Sequence, residues 1–219
     1  PHIQDPYSKR LQTKLIETLE TAAVFRDEVQ VLKKAGKVGG IPCPPIKDMM
    51  QEICEWLSNR PDEPLVLAHG DLHLKNILVR RRGAGYSFRF IDPNSAIGFT
   101  DPLYDIGKLL HWAEELGWSQ IDEDSCEVSW TCSPTSWSLS AHINAPMSAE
   151  QRRQRLESTI MKLVKPLMKS PDDNRRLQLS IAAAHAGLLH LYATAGNSKM
   201  ARFATYYTLR SLLRWRMAT

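Results

Sequence analysis

No apolar stretch of this chain approaches the roughly 18 residues a membrane-crossing helix needs, and its first residues do not read as a signal peptide, so no membrane partner is expected. Cysteine is scarce and unpatterned. Cys43, Cys54, Cys126 and Cys132 form no C-x-x-C pair and have no histidines at zinc spacing, which points to free thiols in a reducing, cytoplasmic setting. Nor is charge of one sign concentrated. The formal net charge of +4 comes from 28 Lys and Arg against 24 Asp and Glu, with the basic residues spread over most predicted helices. A nucleic-acid partner is therefore not expected. With 43% hydrophobic residues over 219 positions, one core and one domain, 1–219, are the expectation.

Against these absences stands one dense stretch. An apolar run (Leu65, Val66, Leu67, Ala68) leads into the polar loop His69-Gly70-Asp71, and Asn76 follows five residues after the aspartate, just before a second apolar run. An aspartate so placed can accept the proton of an attacking hydroxyl. An asparagine one short loop away can offer Mg²⁺ a hard side-chain oxygen. Further on, Phe88-Arg89-Phe90-Ile91-Asp92 alternates as a strand does and ends in a carboxylate, while the basic, glycine-rich turn Arg80 to Gly85 reads as a hairpin connection. That hairpin would bring Asn76 and Asp92 to one end of two antiparallel strands. A third element, Thr100-Asp101-Pro102-Leu103-Tyr104-Asp105, opens an amphipathic helix that Asp101 can cap.

The set His69-Gly70-Asp71-x-His73-x-x-Asn76, Asp92 and Asp101-Pro102-x-x-Asp105 resembles the aminoglycoside phosphotransferase and choline kinase family, distant relatives of protein kinases. The resemblance implies an α+β, mainly helical fold: the C-terminal lobe of a protein-kinase-like structure, with catalytic loop 69–76 and metal-aspartate strand 88–92 in a small β-hairpin. It implies Asp71 as catalytic base, Asn76 and Asp92 as ligands of Mg²⁺ and ATP, and His69, His73 and Asp105 as loop supports. Leu74 and Lys75 stand where the family often has Pro-Gly, and Lys75 could turn its charge toward phosphate. The glycine-rich hairpin and the strand lysine of the nucleotide lobe are not found before His69, where the chain reads as helix and turn. A nucleotide lobe, in cis or in trans, is thus the expected partner.

Elsewhere the periodicity predicts one helix over 8–35 stopped by Gly36, a second as far as Asn59, an irregular excursion over 118–147, and helices from a Ser148 capping box to about Val164, over 173–195 and over 198–216. His185 and His190, five apart on one helix, read as unrelated partly buried residues. In and just before the excursion, Trp112, Trp118, Trp130 and Trp137 flank Asp122, Glu123, Asp124 and Glu127. Aromatic faces beside carboxylates suit a cationic hydroxyl acceptor, since a cation–π contact contributes about 0.5–2 kcal/mol. The plainer reading is a solvated acidic loop whose tryptophans pack on the lobe. Two rival functions remain: a non-catalytic kinase-like binding module, and a basic surface formed by Arg202, Arg210, Arg214 and Arg216.

Overall fold

The computed structural model describes residues 6–60, 65–94, 98–119, 126–144 and 146–218, apart from the side chains at 6, 30, 31, 115–119 and 171. Tyr7, Leu11, Leu15 and Leu19 recur every fourth position and are all buried, a stripe that closes only on a helix. They lie along α1 (Pro6–Leu11) and α2 (Glu17–Thr21), joined through one π-helical turn, Gln12–Ile16, in which Glu17 N–H reaches back to the Gln12 carbonyl. The helix expected over 8–35 is shorter than its pattern suggests. At Ala22 the backbone turns extended (φ −72°, ψ 129°), and two 3₁₀ turns, Ala23–Phe25 and Val29–Leu32, deliver Phe25 and Leu32 to the core instead. Packing overrides propensity here: Phe25 stands 6.0 Å, ring to ring, from Trp130.

Gly36 is not a helix stop but the first residue of β1 (Gly36–Val38), which hairpins onto β2 (Ile41–Cys43). The Trp137 indole lies 2.3 Å from where a Cβ at Gly36 would sit, so no larger residue fits. Helix α3 (Ile46–Ser58) follows, with Ile46, Met49, Met50 and Ile53 inward. Next come β3 (Val66–Leu67), the hairpin β4 (Ile77–Arg82) and β5 (Gly85–Phe90), β6 (Phe99–Thr100) paired antiparallel with β3, and α4 (Tyr104–Ser119).

The expected irregular excursion holds two strands, β7 (Cys126–Cys132) and β8 (Trp137–Ile143), in an antiparallel hairpin. Strand β8 also pairs in parallel with β1, giving a four-stranded sheet in the order β2-β1-β8-β7. The stretch before His69 is therefore not all helix and turn. Helices α5 (Met147–Val164), α6 (Pro171–Thr194) and α7 (Ser198–Met217) complete the chain. The capping box expected at Ser148 does not form. Helix α5 begins a residue earlier, and Glu150 is taken by Arg153 (2.7 and 2.9 Å).

Helix α6 touches both cores. The larger unites the N-terminal helices, α3, the sheet, α6 and α7; the smaller joins Leu103, just before α4, and Leu110 and Ala113 of α4 to Ile160 and Val164 of α5 and Leu177 and Ile181 of α6. The arginines of α7 do not make a separate basic surface. Arg202 pairs with Glu28, Arg214 with Glu114 and Arg216 with Glu52, while Arg210 lies over Tyr207. Among the described residues no helix is long and apolar enough to cross a membrane, and the four cysteines are free thiols.

Candidate active site

The loop between β3 and β4 is held from two sides. On one, Asp105, in the first turn of α4, accepts from the backbone N–H groups of His69 (2.6 Å) and Gly70 (2.9 Å), one on each carboxylate oxygen. Gly70 has φ +78°, a conformation that favours glycine, and this turn is what points two consecutive N–H groups at one carboxylate. On the other side, the His69 ring donates through Nε2 to the Ile91 carbonyl (2.8 Å), and the His69 carbonyl accepts from Asn94 N–H (2.8 Å). A carbonyl can only accept, so His69 is the Nε2–H tautomer. It ties the loop to the end of β5.

Asp71 follows the turn, about two-fifths exposed, with Oδ1 accepting from Lys108 Nζ at 2.9 Å and Oδ2 3.5 Å from His73 Nε2. Burial pushes its carboxyl up, but the Lys108 charge and hydrogen bond, then His73 and His111, outweigh that and hold it below its ordinary value. The group is therefore ionised and aimed. Lys108 was not singled out from the sequence, although it lies three residues after Asp105, one turn along the same face of α4. His73 is stacked on Trp112 (6.2 Å between ring centres, 18° between planes).

Asn76 is buried, and its Nδ2 donates to the Asp71 carbonyl (3.0 Å), which leaves its amide oxygen as the atom of the group able to ligate a cation. The β4–β5 ladder pairs Ile77 with Phe90, and Ile91 N–H reaches the Asn76 carbonyl (3.0 Å), so Asn76 and Asp92 end adjacent strands at the same edge. Asp92 is exposed and has φ +52°, the one non-glycine with positive φ among the described residues. Such a backbone costs energy and clusters at functional positions. Asp101, expected as a cap, accepts from Leu103 N–H at 2.8 Å.

A cavity of about 570 Å³ opens beside Asp71, between the catalytic loop, α4, α6 and the π-helical turn. His73, Lys75, Lys108, His111 and Trp112 form its catalytic-loop and α4 wall; His190 and Leu191 of α6 form the wall opposite. His190 also meets Thr18 Oγ1 at 3.0 Å through Nδ1. His185 has no part in it: fully buried, it bonds Glu114 through Nε2 at 2.8 Å. A second cleft of about 590 Å³, lined by residues of α1, α2 and α3, contains none of the candidate residues.

Of the tryptophans proposed to gather around a cation, only Trp112 lines the cavity. Trp137 is buried in the sheet core, donating to the Lys34 carbonyl at 2.7 Å, and Trp130 packs beside it. Glu127 accepts from Asn144 at 2.9 Å, while Asp122, Glu123, Asp124 and the Trp118 side chain lie outside the described residues.

The β4–β5 hairpin and the β3–β6 pair carry a broad apolar surface. Leu67, Phe99, Val79 and Phe88 are each 64–73% exposed, and Leu78 and Phe90 more than half. Two strands alone are marginal in water, and contiguous exposed apolar surface of this kind marks contact sites.

Comparison with known proteins gives one match. Residues 41–124 match the model of APH, the phosphotransferase enzyme family, a segment that runs from β2 past α4 and contains Asp71, Asn76, Asp92 and Asp105. It supports the resemblance carried by the motifs. No curated protein and no solved structure matches the chain.

Proposed function

We propose that this chain is the acceptor-binding and catalytic part of an ATP-dependent phosphotransferase acting on a hydroxyl of a small molecule. The observation that carries the reading is Asp71: ionised, paired with Lys108, held on a loop doubly braced by Asp105, and open to a cavity large enough for a small acceptor. In that position Asp71 orients the acceptor hydroxyl and takes its proton as the oxygen bonds to the γ-phosphorus of ATP and the bond from that phosphorus to the bridging oxygen breaks, ADP leaving with the electron pair. Lys108 keeps the carboxylate charged and fixes its rotation. Little covalent work falls to the protein in such transfers, so positioning and electrostatics dominate.

Asn76 and Asp92 offer two hard oxygens at one edge of the hairpin, a donor set that suits Mg²⁺ only when phosphate oxygens complete the shell. Bound there, Mg²⁺ would neutralise charge on the ATP phosphates. The exposed apolar face of the hairpin supports a nucleotide-holding lobe, in cis or in trans, packed upon it.

The test is transfer of labelled γ-phosphate by the complete protein, nucleotide-binding part included. Asp71→Asn should lower turnover by a factor of roughly 10²–10⁴ while Mg·ATP binding persists. Equal transfer by the variant would sink the assignment. Mg·ATP or acceptor binding with no transfer by the unmodified protein would favour a non-catalytic binding module.

A further inference from the structure

Asp71 is the sole carboxylate among the described residues that line the cavity, and it is already paired with Lys108. Around it stand Arg10, Lys14, Lys75 and Lys108, with the imidazoles of His73, His111 and His190 between them. Four cations facing one engaged carboxylate is a costly arrangement for an empty space. Arg10 and Lys14 are four residues apart on the first helix, a spacing at which like charges repel, and both line this cavity. The π-helical turn Gln12–Ile16 contains Lys14, and such turns recur at functional sites.

Arg10 is positioned, not merely nearby. Its Nε donates to the Ala183 carbonyl at 3.0 Å, and its guanidinium crosses α6 where Gly187 has no side chain; a Cβ there would meet Nη2 at 2.7 Å. Desolvation and then the charge of Lys14 hold the His190 imidazole below its ordinary range, so the positive field reaches that wall as well. The aromatic face a cationic acceptor would use is already engaged. Trp112 stacks with His73 and has Lys75 Nζ 6.0 Å from its ring centre.

We infer that the cavity beside Asp71 takes an anionic acceptor: a small hydroxyl compound whose own phosphate or carboxylate is seated between Arg10, Lys14 and His190 while its hydroxyl faces Asp71. The word acceptor rests on the phosphotransferase reading; the anion seat rests on the cavity alone. A choline-like cation would have to enter against four like charges.

The test uses the 219-residue chain without Mg²⁺ or nucleotide, titrated with inorganic phosphate, with glycerol 3-phosphate and with choline, following the ring-proton resonances of His73 and His190. Both anions should produce saturable shifts at His190 and raise the pH at which it titrates, and choline should do neither. Lys14→Gln should weaken anion binding by about tenfold, as expected for loss of one charge-assisted contact, whereas Lys75→Gln, on the opposite wall, should weaken it less. Lys47→Gln, whose lysine pairs with Glu20 in the other cleft, should leave it unchanged. Absence of saturation, or choline competing for the site, overturns the inference. So does weakening by Lys75→Gln alone, which would place the anion where the transferred phosphate sits. The two readings fail separately. Asp71-dependent transfer to a neutral or cationic hydroxyl without anion binding removes only the anionic acceptor, whereas anion binding with transfer indifferent to Asp71 removes only the phosphotransferase.

Discussion

Helix α4 carries Asp105 and Lys108 toward the catalytic loop, and the glycine between them, Gly107, faces α6 at a distance no other residue tolerates. A Cβ built at Gly107 would lie 2.1 Å from Ser180 Oγ, 2.4 Å from Ser180 Cβ and 2.9 Å from its backbone carbon. The same Ser180 hydroxyl donates to the Tyr104 carbonyl at 2.8 Å, one turn earlier on α4. Gly107→Ala therefore cannot be absorbed by swinging a flexible side-chain end; the helices must part. Overpacking of this kind costs about 1–3 kcal/mol, and loss of the buried hydroxyl bond adds about 1 kcal/mol. Replacing glycine by alanine inside a helix returns about 1 kcal/mol. The net loss is thus about 1–3 kcal/mol, which in a chain of this size lowers Tm by roughly 2–12 °C. Urea unfolding followed by far-ultraviolet circular dichroism reads it directly. Adding Ser180→Gly removes the two closest atoms, so the double variant should lose less than the sum of the single losses. If Gly107→Ala leaves stability unchanged or raises it, as propensity alone would have it, the close α4–α6 approach is not what sets α4 in place.

Two further outcomes follow from charge and backbone. Burial would push Glu114 up, but its bond to His185, that residue's charge and then Arg214 bring it down to about 2, so the folded carboxyl is depressed below its unfolded value of 4.5. The stabilisation is fully present above about pH 4.5 and lost as pH falls toward 2, on the order of 3 kcal/mol across that window. Urea melts at pH 3 and pH 6 should differ by more in the natural chain than in Glu114→Gln; parallel losses would refute it. At Asp92, glycine removes the penalty of positive φ, so Asp92→Gly should raise stability by about 0.5–1 kcal/mol while abolishing Mg·ATP binding by the complete protein. A clear drop in stability would mean that the carboxylate is there for the fold.

Legibility in the sequence followed how local each signal is. The hairpin around the site was readable because glycine and arginine mark its turn and aromatic residues alternate along β5. The helices α6 and α7 were readable because their buried stripes run without interruption to Gly196-Asn197. Strands β7 and β8 were misread as irregular because serine and threonine occupy their outward positions. Their inward positions, Cys126, Val128 and Trp130, then Trp137, Leu139, Ala141 and Ile143, alternate with period two all the same. The end of the first helix at Thr21 was not readable, since what ends it is a distant partner for Phe25. Within the site, loop residues could be named from motif spacing, but Arg10 and Lys14 could not. Both line Asp71's cavity, and Arg10 is held there by the Ala183 carbonyl of α6, more than 170 residues away along the chain.

That division between local and distant residues matches a division in how the site is supported. The proposed acceptor side rests on helices α4 and α6, each packed into a core, and its charged groups are fixed by Gly107, Gly187 and the Ala183 carbonyl. The proposed metal side rests on Asn76 and Asp92 at the end of a two-stranded hairpin whose apolar side chains face solvent on both strands. An isolated hairpin has no means of holding a strained carboxylate to a fraction of an ångström, and phosphoryl transfer requires that precision. The acceptor cavity is therefore set by this chain's own packing, whereas the precision of the metal-binding edge depends on what covers the hairpin. Anion binding should survive without a nucleotide lobe, and Mg·ATP binding should tighten when one packs against Val79, Phe88 and Phe90. A chain that bound Mg·ATP equally well with and without that lobe would show the hairpin to be rigid by itself, and the apolar face would then need another explanation.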